Sequence, residues 1–406
     1  MNFLKNVKEK PIAILGAGGV GKTLAGDSVL AGAKVRLWEQ EAFKKNFVNI
    51  ERGITITGGQ YNYYSFERAG TAKIDLATTN MAEAVKGAGN ICITTVATAH
   101  EAIFRELIPL LEDGQIIHLF PDNYGSFVLR RMMREMNCTA KVIVGGWGTA
   151  PYGTRIVIRG GVTSNTCRIN DRVTFLRGAA LPDSDTATFL KSAETIPGLD
   201  ACTTGDGYQA ANTVIDVNLS NVNPVIHVPG TVLAVSTMQN FGTVLGQYPK
   251  NYSLYAFGLC PAIAEVQAVF WEEEKAIAKA MEVGICTVNY EDFFSRTTMY
   301  GKEYMGPDFA VPFDERLENF YGDGPFDLEN RYITEDVPVG CYVYQQLGKK
   351  YNVPTPTIDC MIYLANIMIK RDLIKDSKYT LAYLDIGHMN HDQLQKYLRE
   401  GVYTAQ

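Results

Sequence analysis

The stretch that most constrains this chain is Pro11 to Glu39, PIAILGAGGVGKTLAGDSVLAGAKVRLWE. Ile12 to Leu15 form a short apolar run of the kind found in buried parallel strands. Gly16, Gly18 and Gly21 follow at G-x-G-x-x-G spacing, with Gly19 and Val20 between them. Val20 to Ala31 then read as a helix ended by Gly32, and Lys34 to Trp38 as a second strand closed by Glu39. In such a unit the first glycine permits a tight turn, the second lets a pyrophosphate approach the backbone, and the third lets helix pack on strand. The free N–H groups at the helix start favour phosphate charge. Glu39 stands eighteen residues after Gly21, where a carboxylate accepts hydrogen bonds from an adenosine ribose. It would repel a phosphate on that ribose, so NAD is expected over NADP.

The same letters carry a rival reading. Gly16 to Thr23, GAGGVGKT, also satisfies the P-loop pattern G-x-x-x-x-G-K-[ST], with Lys22 gripping terminal phosphates and Thr23 holding magnesium. A purely structural glycine turn is a third possibility. The immediate return to a strand, the Glu39 at its end, and the lack of a later strand ending in a magnesium-binding Asp favour the dinucleotide. Lys22 is then expected to be a solvated helix residue.

At 406 residues the chain has room for two or three domains. Its net charge of −6 argues against a general nucleic-acid binder. Eight cysteines are scattered without C-x-x-C spacing, so neither a zinc site nor a thiol–disulfide motif is expected. Reduced cysteines in apolar runs, and no signal-like or membrane-length apolar run, suggest a cytoplasmic protein. No metal and no membrane or nucleic-acid partner is expected.

Further along, strands are expected at 54–57, 61–66, 74–77, 91–96, 115–119 and 141–144, with helices at 80–86, 98–112 and 124–136. This alternation predicts an α/β, doubly wound parallel sheet over residues 1–205. Ligands bind such sheets beyond the carboxyl ends of the strands. The loop Val96 to His100 is expected to cover the adenosine and ribose, and Phe120 to Gly125 to lie near the nicotinamide. Asn123 is the polar residue placed there, with a helix cap as its alternative role. From about 206 to 406 helical spacing dominates, predicting an all-α domain, and the cleft between the two is the default substrate site.

Two segments carry candidate chemistry. In NTVIDVNLSNVNPVIHVPGTVL, Asn223-Pro224 and Pro229-Gly230 are expected to break the helix, leaving His227 in a short irregular segment. A lone histidine is otherwise a satisfied core residue. In RYITEDVPVG, Arg331 offers a fork for a carboxylate and Asp336 can orient an imidazole, with Glu335 competing.

Taken together, GAGGVGKTLAG, SNVNPVIHVPGTVL, RYITEDVPVG and VPTPTIDCMI resemble, in order and spacing, the NAD/NADP octopine/nopaline (opine) dehydrogenase family over nearly the whole chain. The N-x-N-P-x-x-H-x-P and R-Y-x-x-E-D-x-P stretches are the specific ones. The resemblance implies a Rossmann domain followed by an all-helical domain of the 6-phosphogluconate-dehydrogenase C-terminal type. It implies an NAD(P)H-dependent condensation of an amino acid with a 2-keto acid. His227 and Asp336 would form the proton relay, Arg331 would hold the keto-acid carboxylate, and Asn123 would contact substrate. Gly16, Gly18, Gly19, Val20, Gly21, Glu39 and Val96 would hold NADH. A monomer or homodimer is expected. A ketopantoate-reductase-like enzyme, a P-loop nucleotide hydrolase and a non-catalytic NAD sensor are the alternatives.

Overall fold

The computed structural model describes residues 3–7, 9–58, 68–159, 162–173, 175–200, 207–244, 252–285 and 324–405. The expected strand at 61–66 lies outside these residues. The chain divides into two compact units, Met1–Val217 with Asp392–Gln406, and Asn218–His391.

Among the described residues the first unit holds twelve strands. They are β1 (Ile12–Leu15), β2 (Val35–Trp38), β3 (Ile54–Gly58), β4 (Gly70–Ala72), β5 (Leu76–Thr78), β6 (Asn90–Ile93), β7 (Ile116–Leu119), β8 (Ile143–Trp147), β9 (Tyr152–Arg159), β10 (Val162–Arg172), β11 (Phe175–Ala180) and β12 (Gly207–Ala210). Eight of them form one sheet in the order β12-β11-β8-β7-β6-β1-β2-β5. From β8 to β5 every neighbouring pair is parallel. β11 runs antiparallel to β8 and carries β12 beside it. The strands β1, β6, β7 and β8 are buried at every residue, which is why they read as largely apolar runs.

Two features depart from the expected single sheet. β4, β3, β10 and β9 form a separate four-stranded sheet. It packs on helix α1 (Gly19–Leu30), the helix of the glycine motif. Gly26 makes this approach possible, since a Cβ there would come within 2.8 Å of Ile56. The helix is also pinned by Asp27, a buried carboxylate that accepts from Arg172 at 2.7 and 2.8 Å, from Arg68 at 2.8 and 3.0 Å and from Tyr152 at 2.7 Å. Burial raises the pKa of Asp27, but the hydrogen bonds from the two arginines outweigh it and the net shift is downward.

The second departure concerns the expected boundary at 205/206. β12 lies beyond it and pairs with β11, although a helical region was expected from Gly207 onward. Four residues at a sheet edge carry too little pattern to be read. Helix His391–Glu400 also returns to this unit, burying Leu394, Tyr397 and Leu398, and Arg134 donates to Tyr397 at 3.0 Å.

The second unit is helical. Its main helices are α2 (Val222–Leu233), α3 (Pro261–Ala280), α4 (Tyr342–Tyr351) and α5 (Pro356–Ile369). Glu273 of α3 caps α5, accepting from Thr357 N at 2.7 Å and Ile358 N at 3.0 Å, where the helix dipole favours its charge. Among the described residues no helix is long and apolar enough to cross a membrane.

Candidate active site

The glycine motif has the geometry that its spacing predicts. Gly16 sits at φ +110°, and a Cβ on Gly21 would lie 1.8 Å from the Gly16 carbonyl oxygen. Neither position tolerates a side chain without moving the turn. A Cβ on Gly18 would meet nothing within 4 Å, so the backbone there lies open to a ligand at the start of α1. Gly19 and Val20 form the first turn of that helix. These features fit a dinucleotide pyrophosphate.

Glu39 stands at the carboxyl end of β2 and is largely buried. Its Oε2 accepts from Ala17 N at 3.1 Å and from Asn46 Nδ2 at 3.0 Å, and its Oε1 from Gln40 N at 2.9 Å. Glu39 therefore ties the glycine loop to the end of β2. Val96 follows β6, caps a short 3-10 turn and is exposed.

Lys22 is not solvated. It is fully buried, and its Nζ lies 2.7 to 3.1 Å from the carbonyls of Asn46, Thr163 and Ser164, Thr163 Oγ1 and Asn165 Oδ1. Burial lowers its pKa to about 8, against the raising fields of Cys167 and Glu39. Thr23 donates to Gly19 O and shares a hydrogen bond with Thr154. Both residues that a P-loop needs are thus committed to the protein's own structure.

The helix after β7 is Gly125–Glu135. Its start is held by Asp122, whose carboxylate accepts from Ser126 N at 3.1 Å and Ser126 Oγ at 3.0 Å. Asp122 thus caps this helix through Ser126. Asn123 is half-buried at φ +42°, next to Tyr124 at φ +60°.

In the helical unit the expected break around His227 does not occur. α2 runs unbroken from Val222 to Leu233, and Asn221 caps it by accepting from Asn223 N at 3.0 Å. Pro224 falls in the first turn, where its missing N–H would have had no helical partner. Pro229 sits inside the helix, which continues through it.

His227 is buried and held on three sides. Its Nδ1 is 2.7 Å from Asp336 Oδ2, its Nε2 is 2.9 Å from the Tyr255 hydroxyl, and the Tyr332 ring stacks on it at 3.6 Å between centroids. Asp336 opens a π-helical segment, Asp336–Cys341, that follows the short helix Arg331–Thr334. Burial pushes the Asp336 carboxyl up to about 7, with Arg331 opposing. Glu335 is buried beside it.

Arg331 is exposed and lies over the Tyr332 ring at 5.4 Å. Among the described residues it has no ion-pair partner. Although the residue as a whole is exposed, desolvation of its guanidinium works against its charge; the fields of Tyr332, Asp336, Glu335 and Tyr255 outweigh it and raise its pKa. The structure thus brings together His227, Asp336 and Arg331, three residues singled out in the sequence. It adds Tyr332 and Tyr255, which the sequence reading missed. Tyr332 had a signal, its place inside R-Y-x-x-E-D. Tyr255 had none, because an aromatic in a helical domain reads as core.

The fold and these two sites define a two-domain dehydrogenase, with a dinucleotide-binding sheet unit and a helical unit bearing a histidine–carboxylate pair. Comparison with known proteins narrows this class. Residues 210–369 match the family described as NAD/NADP octopine/nopaline dehydrogenase, alpha-helical domain. The chain is 29% identical to an opine dehydrogenase of Arthrobacter sp. (strain 1C) over 376 residues, covering 92% of this chain and 94% of that protein. An octopine dehydrogenase solved with NADH and L-arginine superposes with a TM-score of 0.68 at 18% identity, covering 98% of this chain and 99% of the other. A yersinopine dehydrogenase solved with NADP+ superposes with a TM-score of 0.61 at 13% identity, covering 98% and 99%. The helical unit thus matches the octopine/nopaline dehydrogenase domain, the chain as a whole is similar to opine dehydrogenases, and it is an NAD(P)-dependent oxidoreductase acting on CH–NH bonds.

Proposed function

We propose that this enzyme uses NADH to join the amino group of an amino acid to a pyruvate-like 2-keto acid through an imine. The observation that carries this reading is the buried His227 Nδ1–Asp336 contact of 2.7 Å beside an arginine without an ion-pair partner among the described residues. Arg331 holds the keto-acid carboxylate, where a planar guanidinium suits two oxygens at once. Asn123 provides a further polar contact to substrate. Asp336 fixes the imidazole tautomer and stabilises its charged form, so that Nε2 exchanges protons with the substrate.

The imidazole takes a proton from the amino acid's ammonium group, freeing the amine to attack the carbonyl carbon. It returns that proton to the hydroxyl of the resulting carbinolamine, which leaves as water. When bound, the nicotinamide supplies the hydride that reduces the imine carbon. Gly16, Gly18, Gly19, Val20, Gly21, Glu39 and Val96 are the residues that would hold the dinucleotide. Glu39 supports NADH over NADPH, because a carboxylate at the end of β2 would repel a phosphate on the adenosine ribose.

The test is NADH oxidation with pyruvate against a panel of amino acids. Turnover that requires both an amino acid and the keto acid supports the proposal. Turnover with a keto acid alone makes the enzyme a simple keto-acid reductase.

A further inference from the structure

Asp336 takes Nδ1 of His227, and Tyr332 covers a face of its ring at 3.6 Å. Proton exchange is left to Nε2, and the Tyr255 hydroxyl stands on that nitrogen at 2.9 Å. Tyr255 belongs to a π-helical turn, Leu254–Gly258, on a different element from either partner of the pair. It is half-buried, whereas His227 is only 2% exposed. The phenol is therefore the more accessible end of the line Asp336–His227–Tyr255. It also lies within electrostatic reach of the Arg331 guanidinium.

From this geometry we infer that Tyr255 is a catalytic residue, carrying the proton between His227 Nε2 and the substrate. The inference rests on the His227–Asp336 reading above and deepens it. When the amino acid binds, its ammonium N–H gives a proton to the phenol oxygen while the phenol O–H proton passes to Nε2. The amine adds to the carbonyl carbon, the C=O π pair moves to oxygen, and a proton shifts from nitrogen to that oxygen. The imidazolium then returns its proton through Tyr255 to the carbinolamine hydroxyl. The C–O bond breaks with its electron pair leaving as water, and the nitrogen lone pair forms the C=N bond. The ring of proton transfers closes with no net gain or loss at His227 or Tyr255.

The experiment compares wild type, Tyr255→Phe and His227→Ala in NADH oxidation with pyruvate and the amino acid that the panel selects. Tyr255→Phe is expected to lower kcat by about tenfold or more, with KM for pyruvate little changed and NADH fluorescence on binding retained. An unchanged kcat in Tyr255→Phe beside a large loss in His227→Ala overturns the relay and leaves the histidine reading standing. Unchanged kcat in both variants overturns the histidine reading itself. A loss confined to KM makes Tyr255 a binding residue and also overturns the relay. If Tyr255→Phe fails to bind NADH, fluorotyrosine at position 255 replaces it, keeping size while making the phenol more acidic. The pH profile of kcat is then expected to shift toward acid, in a setting where His227, Arg331, Asp336 and Glu335 are the neighbouring charges. An unmoved profile overturns the relay.

Discussion

The ammonium of Lys22 and the carbonyl oxygen of Asn46 stand 2.7 Å apart, and the Asn46 amide in turn donates to Glu39 at 3.0 Å. Glu39 accepts from Ala17 N in the glycine loop. The lysine that makes the motif look like a P-loop is thus one end of a buried chain that secures the dinucleotide turn from behind.

Replacing Lys22 by Met would leave several carbonyl and hydroxyl oxygens without their donor in a buried site. Such a loss costs on the order of 3 kcal/mol. Thermal unfolding of Lys22→Met should show a clear drop in Tm, while wild type shows no magnesium-dependent ATP hydrolysis. Hydrolysis that vanished in Lys22→Ala would restore the P-loop reading.

The glycine unit was legible because its demands are local. Gly16 needs positive φ and Gly21 a missing Cβ, and no other residue type satisfies either. His227, Arg331 and Asp336 were legible as motif members, but their meeting was not, since 109 residues separate the histidine from its carboxylate. Pro224 and Pro229 mislead because proline is expected to break a helix at both positions. One fell in the first turn, and the other lies in a helix whose packing against neighbouring elements outweighs a single lost hydrogen bond. The four-stranded sheet was illegible for a different reason. It pairs β3 with β10, more than a hundred residues apart, and local alternation does not say which strands meet.

Gly340 and Pro224 explain how Asp336 reaches His227. A Cβ on Gly340 would come within 2.5 Å of the Pro224 ring, so the glycine lets the π-helical segment press against α2. Gly340→Ala should push the two elements apart and lengthen the Nδ1–Oδ2 contact. The expected result is a fall in kcat of about tenfold or more with NADH affinity unchanged, measured by steady-state kinetics and fluorescence titration. Full activity would show that the contact survives the added methyl group.

Arg331→Lys keeps the positive charge and loses the planar fork. If Arg331 holds the keto-acid carboxylate, KM for pyruvate should rise by about tenfold, with smaller effects on NADH. Unchanged KM would move the carboxylate to another residue.

Glu39 makes a prediction about the cofactor. Removing its charge in Glu39→Gln keeps an acceptor for Ala17 N but ends the repulsion of a 2′-phosphate. The ratio of kcat/KM for NADPH over NADH should rise by about tenfold or more in the variant. A wild type that already prefers NADPH would refute the role given to Glu39.

The pH dependence follows from Asp336. Burial raises its carboxyl to about 7, so the carboxylate that supports a charged imidazole is present above that pH and is lost as the solution becomes more acid. Arg331 and Glu335 are the charged groups that neighbour this carboxyl. Below about 7, kcat/KM should therefore fall about tenfold per pH unit, the slope of a single proton. Asp336→Asn holds the ring by a hydrogen bond but cannot ionise. It should lower kcat/KM by about a hundredfold and flatten the acid limb, because the proton that set the slope is gone. A variant that kept the wild-type limb would place that proton on His227 or on the substrate amine instead.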